Sequence, residues 1–313
     1  MQRICVIGGS RYFGILLVQR LLAAGHEVTL VNRGSSPPPP GAGHLRVDRD
    51  DEAALSAALG LRDFDVVIDQ VCYTPVQAAA AARVFRGRTR RFLMTSTIEV
   101  YNPADTTLPS VPHGTLLTEG RLDLTTWPVR MDLPWDDPEF RDAHYSEGKR
   151  QAEAVLSREE GFPFASVRVA HVLGGGALDF TGRLAHYVER VIQGREIAVH
   201  DTIRPSVFVH YEEMADLMLW AATASDFTGP VNACSDGLLD AEDLGAAIGA
   251  RTGRHPRYRR IAAGEEASPY SFDRHYAMSN ARARELGFPL SRTADWLPSA
   301  IDETVAALTA PAV

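Results

Sequence analysis

Short apolar runs alternate with longer amphipathic segments over the first half of the chain. The apolar runs, which are rich in β-branched residues, predict strands at 4–7, 27–31, 44–47, 65–69, 91–96 and 165–173. The amphipathic segments predict helices at 13–24, 75–85 and 145–156. Strands and helices that alternate at this spacing form a parallel sheet with helices on both faces. The pattern therefore predicts a doubly wound α/β fold.

The alternation weakens beyond Gly174, where helical segments predominate. Helices are predicted near 182–193, 211–224, 240–252 and 297–309, and a strand near 228–233 is expected to return to the main sheet. We therefore expect two structural units. The first is a domain over 1–173, to which 200–236 returns, and the second is a smaller, partly helical C-terminal lobe formed by 174–199 and 237–313.

Two stretches interrupt the regular pattern. Residues 35–43, SSPPPPGAG, predict an exposed loop of polyproline character. Residues 102–138 are polar, punctuated by proline and too long for a structural connector. Because long loops at the carboxyl ends of strands carry substrate contacts in such folds, we expect part of the substrate site there.

Composition and charge mainly limit the classes of partner that we expect the protein to bind. The formal net charge of −8 argues against general nucleic-acid binding, which needs clustered excess cations. Cys5, Cys72 and Cys234 lie far apart without metal-ligand spacing, which predicts a reduced, cytoplasmic protein with no structural metal. No apolar stretch approaches the length of a membrane span, so we expect no membrane partner. With nucleic acid and membrane both disfavoured, a small-molecule substrate is expected.

A glycine-rich turn, GGSRYFG at 8–14, joins the first predicted strand to the first predicted helix. Dinucleotide-binding turns use glycine for the tight turn, for close approach of the backbone to the pyrophosphate and for helix–strand packing. Arg11 stands where the middle glycine is usual, and we expect its side chain to point outward. A merely structural turn is the alternative. The position of the turn favours a Rossmann-type site contacted by Gly8, Gly9, Ser10, Arg11, Tyr12, Phe13 and Gly14.

The end of the second predicted strand indicates which dinucleotide binds. NAD sites usually carry an acidic residue there, whereas an arginine favours the 2′-phosphate of NADP. This chain has Asn32 and then Arg33, so we predict NADP, with NAD as the second choice; a solvated loop cation is the alternative interpretation of Arg33. Further cofactor contacts are expected from residues that follow later strands: Asp48, Arg49, Gln70, Val71 and His171.

A tyrosine and a lysine, Tyr145 and Lys149, are spaced four residues apart in the segment YSEGK. On a helix this spacing places both on one face, where the lysine's charge lowers the phenol's pKa and can hold the nicotinamide ribose. The tyrosine can then act as acid or base toward an alcohol or carbonyl. A serine or threonine at the end of the strand 91–96 would add a second hydrogen bond to the substrate oxygen. The alternative is an ordinary amphipathic helix surface.

Taken in this order, the motifs resemble those of the extended short-chain dehydrogenase/reductases, the group that contains nucleotide-sugar epimerases and dehydratases. The stretch from Ser96 to Tyr101 resembles the family's SSxxVYG motif, which implies that Thr97 is the catalytic hydroxyl beside Tyr145 and Lys149. RVAHVLG at 168–174 and FVHYEEMA at 208–215 resemble two further family segments. The arginine-containing glycine turn is most similar to a bacterial subgroup akin to the chloroplast stem-loop RNA-binding proteins.

The resemblance also draws attention to Glu99. Dehydratases of this family carry Thr-Asp-Glu here, with the acid and base adjacent, whereas this chain has Ile98 before Glu99, and isoleucine cannot donate a proton. Glu99 is therefore a candidate acid or base, or a polar strand-end residue, and a standard dehydration is not expected.

Weaker candidates come from single side chains. His144 and Arg204 are candidate substrate contacts, the alternatives being a helix-start residue and a surface cation. His171 is a candidate contact to the cofactor or the substrate, and His210 is expected to satisfy local backbone groups.

The leading hypothesis is an NAD(P)-dependent oxidoreductase or isomerase. It would move a hydride between nicotinamide C4 and a secondary alcohol or ketone of a sugar nucleotide or polar secondary metabolite. An epimerase or decarboxylase with a retained cofactor is the second hypothesis, and a non-catalytic RNA-binding or redox-sensing protein is the third. Relatives of this fold commonly pair through helices like 75–87 and 145–156, so a homodimer is expected.

Overall fold

The computed structural model describes residues 1–102, 108, 111–112, 114–262, 265–274 and 277–310, so parts of the predicted substrate loop over 102–138 lie outside the described residues. Its main element is a sheet of seven parallel strands in the order β10-β6-β5-β4-β1-β2-β3. The strands are β1 (Arg3–Ile7), β2 (Glu27–Asn32), β3 (Gly43–Arg46), β4 (Val66–Asp69), β5 (Phe92–Thr97), β6 (Phe164–Val169) and β10 (Gly229–Ala233). The predicted doubly wound α/β fold is confirmed, and the strand near 228–233 does return to the main sheet beside β6.

Helices cover both faces of this sheet. They are α1 (Phe13–Ala23), α2 (Glu52–Leu59), α3 (Pro75–Phe85), α4 (Pro138–Ala143), α5 (Tyr145–Ser157), α6 (Arg183–Gln193), α7 (Tyr211–Thr223), α8 (Ala241–Thr252), α9 (Ala281–Glu285) and α10 (Thr293–Thr309). Along β1, Ile4 and Val6 pack beneath α1 and α7, whereas Cys5 and Ile7 pack beneath α2, α3 and α5. A buried parallel strand has this two-sided apolar pattern, which explains the continuous apolar runs in the sequence.

Four short strands lie outside the main sheet. β7 (His171–Leu173) pairs with β9 (Phe208–His210), and β8 (Glu196–Val199) pairs with β11 (Arg257–Arg260). α6, α8 and α10 pack around the second pair in a separate apolar cluster. The division into two units stays a prediction.

The expected single strand over 165–173 is wrong in its last third. The backbone N–H of Ala170 donates to Ala233 O of β10, and the chain then leaves β6 to pair with β9. The last helix also begins earlier than expected, because the carboxylate of Asp295 accepts the backbone N–H of Arg292 at its start.

Helix α5 is buried almost entirely within its own chain. The segment that precedes α4 lies over it: Trp127 Nε1 donates to Glu147 Oε1, and the backbone N–H of Arg130 donates to Gln151 Oε1. A homodimer formed through this helix would therefore have to displace or build upon that segment.

Candidate active site

The glycine turn has a backbone that larger residues cannot adopt. Gly8 and Gly9 have φ values of +92° and +71°, in the left-handed region that favours glycine. A Cβ on Gly9 would lie 2.8 Å from Val6 Cγ1, and one on Gly14 would lie 2.6 Å from Gln70 Oε1. The turn therefore keeps its backbone bare between β1 and α1, as close approach of a pyrophosphate requires.

The two residues that follow Ser10 take different directions. Arg11 is exposed, and its guanidinium lies 5.4 Å from the ring centroid of Phe180, whose ring also packs edge-on against that of Tyr12 at 6.3 Å. Tyr12 is buried with φ +52°, donates from its hydroxyl to Gly174 O at 2.8 Å and stacks on Tyr211 at 5.8 Å. Tyr12 thereby fastens the glycine turn to the chain that follows β7.

The carboxyl ends of β2 and β3 place two arginines together. Arg33 is exposed, and the sheet register pairs Asn32 with Arg46, whose Nε donates to Arg33 O at 3.2 Å. Arg46 was not among the residues predicted from sequence; its position at the end of the neighbouring strand is the signal that finds it. Asn32 Oδ1 accepts the backbone N–H of Gly34 at 2.8 Å, so the amide is held in place.

Two side-chain amides at the carboxyl ends of β2 and β4 are suited to a ligand with acceptor oxygens. Asn32 Nδ2 and Gln70 Nε2 are both buried donors without a hydrogen-bond partner among the described residues. Since buried donors are normally paired, these two atoms fit an absent ligand, and the residues present therefore suit a dinucleotide. Asp48 is exposed after β3, with Oδ1 accepting the backbone N–H of Asp50.

Arg49 has a different position from the one expected of a cofactor contact. It is buried, pairs with Asp69 at 3.0 Å and donates to Val71 O and Gln77 O. Burial, the largest single effect, lowers the pKa of Arg49, but Asp69, Cys72 and Asp50 together outweigh burial and the net shift is upward. The guanidinium thus holds the loop after β4, including Gln70 and Val71.

The predicted catalytic hydroxyls meet at the end of β5. Thr97 is the last residue of β5, and its side chain lies close enough to Tyr145, the first residue of α5, to lower the pKa of the phenol. Ser96 Oγ, by contrast, is buried and has no partner in the described part of the chain. Glu99 lies in the 3₁₀ turn Ile98–Tyr101, with its backbone N–H donating to Thr97 Oγ1 at 3.2 Å.

Lys149 is the only lysine in the sequence and is 2% exposed. Its Nζ donates to Thr95 O at 2.9 Å and lies 4.6 Å from the ring centroid of Tyr73 and 6.0 Å from that of Tyr145. Burial lowers the pKa of Lys149 to about 8, an effect that Cys72 and other neighbours partly oppose. The ammonium is therefore beside the tyrosine, as the four-residue spacing predicts.

The electrostatics of Tyr145 reveal two residues that sequence reasoning missed. Burial raises the pKa of Tyr145, the nearby phenol of Tyr73 and the carboxylate of Glu99 raise it further, and the Thr97 hydrogen bond and the charge of Arg183 lower it. Tyr73 follows β4 and Arg183 begins α6, so neither stands in a motif with Tyr145.

The weaker histidine and arginine candidates are dispersed. The ring of His171 stacks on Phe272 at 5.0 Å, and burial, assisted by Arg183, lowers the pKa of His171 to about 3. The backbone N–H of Arg204 donates to Phe272 O, so Arg204 lies next to Phe272 along the backbone.

His144 serves local structure. Its ring stacks on Phe140 at 3.9 Å, and Nδ1 lies 2.8 Å from Phe140 O, between α4 and α5. His210 packs against Tyr211 and Trp296, and its buried Nε2 has no hydrogen-bond partner among the described residues; its expected role toward backbone groups stays a prediction.

Within the described ranges, no group of three histidine, cysteine or acidic side chains is placed to hold a metal ion. No helix in these ranges is both long enough and apolar enough to cross a membrane.

Comparison with known proteins finds both sequence and structural relatives. The chain is 34% identical over 107 residues to 2′-dehydrokanamycin reductase of Streptomyces kanamyceticus, covering 34% of this chain and 30% of the relative. It is 25% identical over 236 residues to chloroplast stem-loop binding protein of 41 kDa b of Arabidopsis thaliana, covering 70% of this chain and 54% of that protein. The chain thus matches only part of each relative's length.

Solved structures share the fold over nearly the whole chain. UDP-glucose 4-epimerase of Thermus thermophilus, in complex with NAD, superposes with a TM-score of 0.70 at 19% identity and covers 97% of this chain and 99% of its own. dTDP-glucose 4,6-dehydratase of Bacillus anthracis, also with NAD, superposes with a TM-score of 0.73 at 13% identity and covers 97% and 96%.

The family comparison agrees with the motifs. Residues 4–119, which contain the glycine turn, Thr97 and Glu99, match the model of the NAD dependent epimerase/dehydratase family. The resemblance that the motifs carry is confirmed over this stretch: residues 4–119 are similar to the NAD dependent epimerase/dehydratase family.

Proposed function

We propose that the protein is an NADP(H)-dependent oxidoreductase that acts on a secondary alcohol or ketone of a sugar nucleotide or polar secondary metabolite. The observation that carries the proposal is the meeting of Thr97, Tyr145 and Lys149 at the carboxyl edge of the sheet. This is the arrangement required of a hydroxyl that polarises a carbonyl, a phenol that moves a proton and a cation that assists both.

The chain's own groups have distinct tasks in this reaction. The backbone of 8–14 and the amide donors of Asn32 and Gln70 would hold the dinucleotide, which when bound supplies or accepts a hydride. In reduction, the Tyr145 hydroxyl donates its proton to the substrate oxygen while Thr97 donates a hydrogen bond to the same oxygen. In oxidation, the tyrosinate takes the proton of the alcohol. Lys149 favours the tyrosinate by its charge.

The preference for NADP(H) is supported by the two arginines at the ends of β2 and β3. Both guanidinium groups can form charge-assisted hydrogen bonds to a 2′-phosphate. Such a bond contributes about 1.5–3 kcal/mol, which corresponds to roughly a tenfold or greater change in dissociation constant. Arg33→Ala and Arg46→Ala should each weaken NADPH binding by about that factor and leave NADH binding unchanged.

The control is Arg195→Ala, which removes an exposed arginine after α6, away from the turn. It should change neither dissociation constant. Equal affinity of the wild type for NADPH and NADH would contradict the NADP preference while leaving the oxidoreductase proposal intact.

The reaction itself is tested with ketone and alcohol probes. 2′-Dehydrokanamycin is one probe because a relative is named for its reduction, and UDP-glucose is another because solved structures of the same fold bind it. We expect NADPH-dependent reduction or NADP-dependent oxidation of a probe by the wild type and a loss of at least about 100-fold in Tyr145→Phe. Full activity of Tyr145→Phe on a turned-over probe would refute the assigned proton transfer.

An enzyme that retains its cofactor and recycles the hydride is the second candidate. The observation that favours it is Glu99, a second ionisable group close enough to Tyr145 to raise its pKa. Cofactor that copurifies with the protein, together with substrate isomerisation without net NADP(H) turnover, would support this candidate over the first. Glu99→Gln should then abolish isomerisation, and Tyr145-dependent redox turnover of the probes would be absent.

Substrate recognition is proposed to involve the smaller lobe. Arg183 at the start of α6 is close enough to Tyr145 to lower its pKa, and Arg204 is a second candidate cation. Neither guanidinium forms an ion pair within the described ranges. We further propose a cytoplasmic homodimer, which sedimentation of the purified protein at several concentrations would test.

A further inference from the structure

Tyr73 occupies a fixed position between the sheet and the catalytic helix. It lies in the loop between β4 and α3, where its backbone N–H donates to Gln77 Oε1 at 2.7 Å, and the next residue, Thr74, caps α3 through its side chain. Its ring centroid is 4.6 Å from Lys149 Nζ and 6.2 Å from the ring centroid of Tyr145. One aromatic ring therefore contacts both members of the tyrosine–lysine pair.

Gly148 makes this contact possible. A Cβ at this position would lie 2.4 Å from Tyr73 O and 3.2 Å from Trp135 Cζ3. The 2.4 Å approach involves backbone, which cannot give way as a side chain can, so any larger residue would push α5 and Tyr73 apart. Lys149, the next residue, is thereby brought against the ring of Tyr73.

We propose that Tyr73 is a positioning residue of the active site, whose ring face holds the ammonium of Lys149 beside Tyr145 and keeps it charged. The inference rests on the proposed function, because it is there that the charge of Lys149 assists Tyr145. An ammonium within about 6 Å of an aromatic face is attracted by the ring's quadrupole, and the attraction is strongest where water is excluded. At 2% exposure, Lys149 is in that regime.

The charge of Lys149 depends on a balance of neighbours. Burial lowers its pKa to about 8; Cys72 and Asp69 from the β4 side and Glu153 on α5 raise it, and Arg49 lowers it. Thr95 O of β5 accepts a hydrogen bond from its ammonium. The face of Tyr73 favours the charged form, so its removal should lower the pKa further. Near neutral pH, a fall of about one unit would leave a large neutral fraction.

A single-lysine sequence allows a direct test. Protein labelled with ¹³C-lysine at Cε gives one side-chain resonance, whose shift across about pH 6–10 reports the pKa of Lys149 in the full chain without cofactor. Tyr73→Leu should lower that pKa by about one unit, whereas Tyr73→Phe, which keeps the ring, should leave it within about 0.3 unit of the wild type. Tyr258→Leu, on β11, is the control for loss of a tyrosine elsewhere and should have no effect.

Two outcomes would overturn the proposal: an unchanged Lys149 pKa in Tyr73→Leu, or equal shifts in Tyr73→Leu and Tyr73→Phe. If Tyr73→Leu does not fold, Tyr73→Met is used in its place and carries the same expected shift. NADPH and NADH titrations of the same variants separate this proposal from the proposed function. Binding of neither dinucleotide by the wild type, together with the expected Lys149 pKa shift in Tyr73→Leu, would refute the function and leave only the effect of Tyr73 on the charge of Lys149 standing.

Discussion

A buried ion pair near the candidate active site provides a direct test of what holds β6 and α5 together. Arg168 on β6 and Glu153 on α5 are both fully buried, and their closest contact is 2.6 Å. Arg168 also donates to the hydroxyl of Tyr101 at 2.8 Å and to Glu119 O at 3.1 Å. Tyr101 ends the 3₁₀ turn that begins directly after Thr97, so the pair braces the catalytic strand end against α5.

Removing one partner should be far more damaging than removing both. Arg168→Met leaves the Glu153 carboxylate buried without its cation, which costs about 3–5 kcal/mol of unfolding free energy, and Glu153→Leu should cost about the same. The double variant leaves no unpaired charge. Its main loss is the donor to Glu119 O, about 1–3 kcal/mol. The two changes should therefore be coupled by at least about 3 kcal/mol.

Urea unfolding followed by tryptophan fluorescence and by circular dichroism measures the three variants against the wild type. We expect lower midpoints in both single variants at an unchanged slope, and a double variant with a midpoint well above either. A double variant as unstable as the sum of the two singles would refute the reasoning, because it would mean that the pair contributes packing and not charge compensation. A single variant that loses less than about 1 kcal/mol would refute the assigned burial cost.

Two further predictions concern the turn and the tyrosine. Gly9→Ala should lower the free energy of unfolding by about 2–4 kcal/mol, because its methyl group would press on core side chains and its backbone would be strained. Gly25 has φ +79° and open space around it, so Gly25→Ala should lower the free energy of unfolding by only about 1–2 kcal/mol. Thermal unfolding compares the two variants. Arg183→Gln removes a charge that lowers the pKa of Tyr145, so the limb of the pH–rate profile governed by that tyrosine should move to higher pH, whereas Arg195→Gln should leave the profile in place.

The features that could be predicted from sequence are those written in local spacing. The glycine turn occupies seven consecutive residues between a strand and a helix, and Tyr145 and Lys149 are one helical turn apart, so pattern alone places them. The strands of the main sheet can also be predicted from sequence, because both of their faces are buried and their residues are therefore apolar in continuous runs.

The residues that sequence reasoning missed approach the site from other elements. Arg46 reaches the cofactor edge only through the pairing of β3 with β2, and Arg183 only through the placement of α6. Arg49 is the opposite case. The sequence predicts that it contacts the cofactor, but it does not predict its buried ion pair with Asp69, which is the last residue of β4. The departure of the chain from β6 after Val169 is likewise decided by pairing with β9, not by any residue within 165–173.

The distribution of cations in this chain follows from what each cation must do. Of its 32 lysine and arginine residues, one is a lysine, and it lies beside Tyr145 in the candidate active site. Arg49 and Arg168 are buried against carboxylates, and these carboxylates together with further neighbours hold the pKa of each above its usual value, so their charge is permanent. Lys149 has a pKa of about 8, and an ammonium of that pKa can respond to a proton moving on Tyr145, which a guanidinium cannot. Burial brings this pKa into range but also disfavours the charged form. The ring of Tyr73 then stabilises the ammonium alongside the carboxylates of Asp69 and Glu153.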